Sequence, residues 1–80
     1  MADFKVDERL WASSMLPEGI VERWFVADGA TVELGDPVAE VRIEGALHVI
    51  NAPRPGQLTI SAKANFIIEP GAVLGSLAEA

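Results

Sequence analysis

The chain has no cysteine, which excludes disulfide staples and thiolate metal sites. It has no apolar run near the ~20 residues that cross a bilayer; stretches such as Trp24 to Ala27 and Phe66 to Ile68 are far shorter. Its N-terminus lacks the basic region, apolar stretch and small-residue cleavage site of a secretory signal, so the expected address is cytoplasmic. Basic side chains are scarce, six against twelve acidic ones, and the net charge of −6 repels the phosphate backbone that supplies most nucleic-acid affinity. An acidic surface can steer docking onto basic partner faces, although solubility alone accounts for the same charge. No amphipathic stretch is long enough for a substantial helix, and no glycine-rich phosphate loop opens one. With 80 residues the chain makes one domain, 1–80, whose thin core has no space for a deep catalytic cavity. A standalone enzyme is disfavoured.

What remains is a succession of short strands punctuated by Gly, Asp, Asn and Pro. The strand candidates are Ile20 to Ala27, Pro37 to Ile43, Leu47 to Ala52, Gly56 to Ser61 and Val73 to Ala78. Val41 and Ile43 alternate with Glu40 and Arg42, and Leu58 and Ile60 with Thr59 and Ser61, the period of a sheet with one buried face. Residues 1–18 read as an N-terminal segment preceding the core at 19–78. There Phe4 and Val6 suggest a short edge strand followed by a loop, in competition with a helical turn through Glu8 to Ser13 that Pro17 would stop.

The most informative feature is an internal repeat. Residues 28–41 align with 64–77 at a constant offset: Gly29 meets Asn65, Val32 meets Ile68, Glu33 meets Glu69, Gly35 meets Gly71, Val38 meets Leu74 and Val41 meets Leu77. The Gly-to-Asn exchange is physically conservative, because Asn best tolerates the left-handed backbone region among non-glycine residues. Two copies of one β unit imply two similar sheets packed face to face about a pseudo-twofold axis, each marginal alone.

The words Glu18-Gly19-Ile20-Val21-Glu22-Arg23-Trp24, Asp28-Gly29 with Val32, Gly35-Asp36-Pro37-Val38-Ala39-Glu40-Val41, Ala52-Pro53 with Gly56 and Leu58, and Gly71 with Leu74 occur in that order. In them the chain resembles the lipoyl/biotinyl carrier domains of 2-oxo acid dehydrogenase complexes and biotin-dependent carboxylases, the lipoyl branch more than the biotin branch. The resemblance implies an all-β, flattened barrel or sandwich of two four-stranded antiparallel sheets with quasi-twofold symmetry, a barrel-sandwich hybrid. It also implies an acceptor lysine at the tip of a tight hairpin, where lipoyl domains read Asp-Lys-Ala and biotin domains Met-Lys-Met. This chain reads Glu44-Gly45-Ala46, with Gly45 at the lysine position, and no lysine occurs between Lys5 and Lys63. Lipoate or biotin is joined as an amide to an ε-amino group. Glycine has no side chain, and the guanidinium groups of Arg42 and Arg54 stay protonated and are poor nucleophiles. Lys63 falls in the second repeat, outside the hairpin, and reads as a solvated surface lysine. The expected cofactor is therefore none.

Other constellations carry less. His48 and Glu44 could form a weak metal site or an acid/base couple, but one histidine without further ligands reads better as a strand-face residue. Ser13-Ser14 and Asp28 lack a histidine to complete a triad and suit turns and caps. Trp24 is expected in the core; Trp11 reads equally as core or as an interaction anchor.

The expected function is a non-enzymatic lipoyl-like binding module. Its expected interaction hairpin comprises Glu44, Gly45, Ala46, Leu47 and His48, docking to a subunit of an acyltransferase, 2-oxo acid dehydrogenase or carboxylase system. Two alternatives stand beside it: a carrier component with atypical attachment, and a structural module dimerising through exposed β edges. The ending Leu77-Ala78-Glu79-Ala80 lacks an Ala/Pro-rich linker, which favours a complete small protein.

Overall fold

A computed structural model describes residues 2–12, 15 and 18–79. Eight strands form in chain order: β1 (Ala2–Lys5), β2 (Gly19–Trp24), β3 (Thr31–Val32), β4 (Pro37–Ile43), β5 (Ala46–Asn51), β6 (Gly56–Ile60), β7 (Ile67–Ile68) and β8 (Val73–Ala78). They make two antiparallel four-stranded sheets, ordered β1-β8-β6-β3 and β5-β4-β2-β7. The expected all-β architecture of two matched sheets is what the chain adopts.

The sheet orders show why the sequence repeats. Replacing β2, β3, β4 and β5 by β6, β7, β8 and β1 turns one order into the other. Turn hydrogen bonds obey the same substitution. Ala30 N–H donates to Ala27 O at 3.0 Å and Phe66 N–H to Lys63 O at 3.1 Å; Asp36 N–H donates to Glu33 O at 3.1 Å and Ala72 N–H to Glu69 O at 2.9 Å. Gly29 (φ 89°) and its counterpart Asn65 (φ 75°) share the left-handed conformation. A bulge recurs too, because the pairing of β4 with β5 skips Val38 and that of β8 with β1 skips Leu74.

The inward faces meet in one core. Val21, Val38, Ala39, Val41, Leu58 and Leu74 are wholly buried, and each full-sized aliphatic side chain among them contributes about 1.5–3 kcal/mol relative to exposure. The residues before Gly19 belong to this core: Phe4, Val6 and Trp11 are buried in it, so the core begins at β1 rather than at residue 19.

Several local expectations are corrected. The N-terminal segment is not a strand followed by a plain loop, since residues Glu8–Trp11 form a 3-10 turn capped by Asp7, whose carboxylate accepts from Arg9 N–H at 2.9 Å. β2 stops at Trp24, not Ala27, while the two-residue strands β3 and β7 have no alternation to announce them.

Candidate functional site

The β4–β5 hairpin closes through two residues. Ile43 faces Ala46 across the turn, and Glu44 (φ 49°) and Gly45 (φ 84°) both lie in the left-handed region. Two successive positive φ angles are the type I′ signature, whose twist matches the flanking strands. Glycine at the second position removes the steric penalty there, and a Cβ placed on Gly45 would meet nothing within 4 Å. Glu44 bears the same backbone conformation with a side chain, at a cost of about 1–2 kcal/mol.

The N-terminal segment braces this end of the molecule. Trp11 is buried beside Ile43 and the start of β2, so closely that a Cβ on Gly19 would stand 3.0 Å from Ile43 Cγ1 and 3.2 Å from Trp11 Cζ2. The indole Nε1 of Trp11 is buried without a hydrogen-bond partner among the described residues. Met15 N–H donates to Glu44 Oε1 at 3.1 Å, linking the segment to the turn across 29 residues of sequence. In front of Trp11, the Arg9 guanidinium hydrogen-bonds to the Asp7 carboxylate and holds that carboxyl below its ordinary range.

Two shallow clefts flank the turn. One, of ≈ 370 Å³, lies between the 3-10 turn and the hairpin and is lined by Arg9, Leu10, Ala12, Glu44 and His48 among others. The other, of ≈ 220 Å³, opens on the outer face and is lined by Glu18, Ile20, Arg42, Glu44, Gly45 and Ile67. Its floor follows from the register. Leu47 faces Arg42, Arg42 faces Ile20 and Ile20 faces Ile67, so one row crosses all four strands of the sheet. Leu47 (51% exposed), Ile20 (42%) and Ile67 (66%) leave that row apolar and open, while Arg42 reaches over to Glu22.

The five expected hairpin residues thus occupy one end of the molecule, with Glu44, Gly45, Ala46 and Leu47 exposed and His48 half-buried. Sequence reasoning missed Ile20, Ile67 and Met15, which come from other elements; the adjacent apolar pair Phe66-Ile67 in a turn-rich stretch was the available signal. Neither lysine lies in the hairpin: Lys5 ends β1 opposite Val73, and Lys63 sits in the turn between β6 and β7. His48 and Glu44 line one cleft, but no group of three metal-ligating side chains occurs among the described residues. Asp28 accepts from Ile60 N–H at 2.8 Å, a structural use that fits its expected turn role. Ser13 and Ser14 lie outside the described residues. Trp24 is partly buried against the core and donates from Nε1 to Ala62 O at 2.8 Å.

Comparison with known proteins agrees with this geometry. Among solved structures, the lipoyl domain of the 2-oxoglutarate dehydrogenase complex from Azotobacter vinelandii superposes with a TM-score of 0.77, covering 99% of this chain and 98% of that one at 19% identity. At that identity the likeness speaks for the fold. No curated protein matches the sequence. The profile of the biotin/lipoyl family, described as biotin-requiring enzyme, matches residues 12–77. Domains of this family carry groups between active sites and are not themselves catalytic. With two matched sheets, a tight hairpin at one end and a family match over most of its length, the chain belongs to the biotin/lipoyl domain family.

Proposed function

We propose that this chain is a lipoyl-like domain without a covalently attached group, which works by docking its hairpin end onto a protein of an acyltransferase, 2-oxo acid dehydrogenase or carboxylase system. The observation that carries the reading is the turn itself. It keeps a two-residue geometry suited to presenting a side chain into open space, yet its residues are Glu44 and Gly45. A lysine-linked lipoyl or biotinyl group does not fit these residues, because neither offers an amine for the amide.

The surroundings suit a docking role. Leu47, Ile20 and Ile67 give an exposed apolar row beside the turn, and Glu18 and Glu44 place negative charge at its rim. A partner with an apolar anchor and a basic rim meets both features.

Two measurements test this. Intact mass spectrometry of protein from its native host is expected to give the unmodified chain; a lipoyl or biotinyl increment overturns the reading. Affinity capture from the same cells is expected to recover one enzyme subunit, and the double variant Glu44→Lys, Leu47→Asp is expected to lower that capture at least tenfold. Undiminished capture by the folded variant removes the hairpin from the interface.

A further inference from the structure

The four sheet edges are not alike. β3 and β7 are two residues long. β1 carries Asp3 and Lys5, the charges that commonly keep an edge from pairing with another chain. β5 has six residues, Ala46-Leu47-His48-Val49-Ile50-Asn51, and no carboxylate, lysine or arginine. The pseudo-twofold axis makes the contrast direct. Phe4 faces Gly75 as Ile50 faces Ala39, so Asp3 and Lys5 stand on their edge where Val49 and Asn51 stand on the other.

The hydrogen-bonding groups on the β5 edge follow from the hairpin. Ile43 and Ala46 close a two-residue turn and form a hydrogen-bonded pair, so His48 and Ile50 also direct their backbone groups toward β4. Leu47, Val49 and Asn51 direct theirs away, and among the described residues no turn or loop backbone group outside the ladder bonds to them. Val49 is 54% exposed and Leu47 51%.

We propose that two copies of the chain pair through β5, antiparallel about a twofold axis at Val49, joining their β5-β4-β2-β7 sheets into one continuous sheet. In that register Val49 faces Val49 of the second copy, and Leu47 faces Asn51 on either side. All of these residues have outward backbone groups, so the seam gains about six hydrogen bonds. The exposed side chains of Val49 and Leu47 cross the seam on one face. Charge selects the same alignment. Glu44 precedes β5 and Arg54 follows it, five residues on either side of Val49, so each acid is brought toward the other copy's base. Arg54 has no ion-pair partner among the described residues. A chain of net charge −6 repels its own copy over most of its surface, whereas the six residues of β5 carry none of that charge. The two hairpin turns then point to opposite ends of the pair; Leu47 and Glu44 serve the docking reading as well, and Val49, which has no part in that reading, separates the two.

Sedimentation velocity of the wild-type chain at sub-millimolar concentration is expected to show a species of twice the 8.5 kDa chain mass. Val49→Lys, or Leu47→Lys as a second variant on the same edge, is expected to return it to monomer with the far-UV circular dichroism of the folded chain retained. Thr31→Lys, which adds the same charge to the exposed β3 edge of the other sheet, is expected to leave the dimer in place. A wild-type monomer overturns the proposal and leaves β5 to a strand of a different protein. So does a dimer that survives both β5 variants, or one lost equally on Thr31→Lys.

Discussion

Glu22 is the residue by which β2 exceeds its counterpart β6, and its carboxylate accepts a hydrogen bond from Arg42 Nη2 at 2.6 Å. Val21 faces Val41 and Arg23 faces Glu40, so Glu22 is the bulged residue, whereas Leu58 and Thr59 face Leu77 and Ser76 without a skip. The repeat offset of 36 residues therefore holds from Arg23 onward and becomes 37 before the bulge, which sets Gly19 over Gly56.

The pair is partly exposed on a sheet surface, so its energy is modest. Glu22→Gln is expected to cost at most about 1 kcal/mol, with the difference shrinking at high salt. Urea denaturation at two ionic strengths measures it.

Gly75 gives the opposite case. A Cβ at this position would collide with the backbone carbonyl of Thr59 on β6, which cannot rotate aside. Gly75→Ala is expected to cost about 3 kcal/mol or more, a large part of the roughly 4–12 kcal/mol that a chain of this length holds. Ser76→Ala, one residue on, is expected to change stability by less than about 1 kcal/mol. Thermal unfolding of the two variants separates them.

Asp28 ties the loop after β2 to the end of β6 through Ile60 N–H. Asp28→Ala leaves that donor without its acceptor and is expected to cost about 1–2 kcal/mol, while Asp28→Asn retains an acceptor oxygen and recovers part of the loss. Chemical denaturation of both variants reads the difference.

The turn can be given the amine it lacks. Gly45→Lys places the side chain in open space at φ 84°, with a backbone strain of about 1–2 kcal/mol. Incubation with a lipoate–protein ligase is expected to add a lipoyl mass to the variant and none to the wild type. A folded Gly45→Lys chain that stays unmodified would show that this turn is not equivalent to an acceptor site.

Much of the fold was legible because it is written twice. The repeat aligned Val32 with Ile68, yet β3 and β7 were not recognised as strands, because two residues leave no alternation to read. The Phe25-Val26 run extended the apparent length of β2, but the chain leaves the ladder after Trp24, where Phe25 N–H donates to Val38 O. At the N-terminus, strand and helical readings competed on similar local patterns. Both readings hold in succession: β1 forms over Ala2–Lys5, and the Asp7 cap then starts the 3-10 turn that buries Trp11 near Ile43.

The sequence by itself determined the two-sheet architecture, the tight turn at Glu44-Gly45 and the absence of an amine there, because periodicity, turn chemistry and residue identity are local properties. Only the tertiary structure decided that Leu47, Ile20 and Ile67 form one exposed row, that Met15 and Trp11 brace the hairpin, and that β5 is a long, uncharged free edge. Those relations join residues up to 47 positions apart, from Ile20 to Ile67, and they depend on strand order and register, which the whole core sets at once.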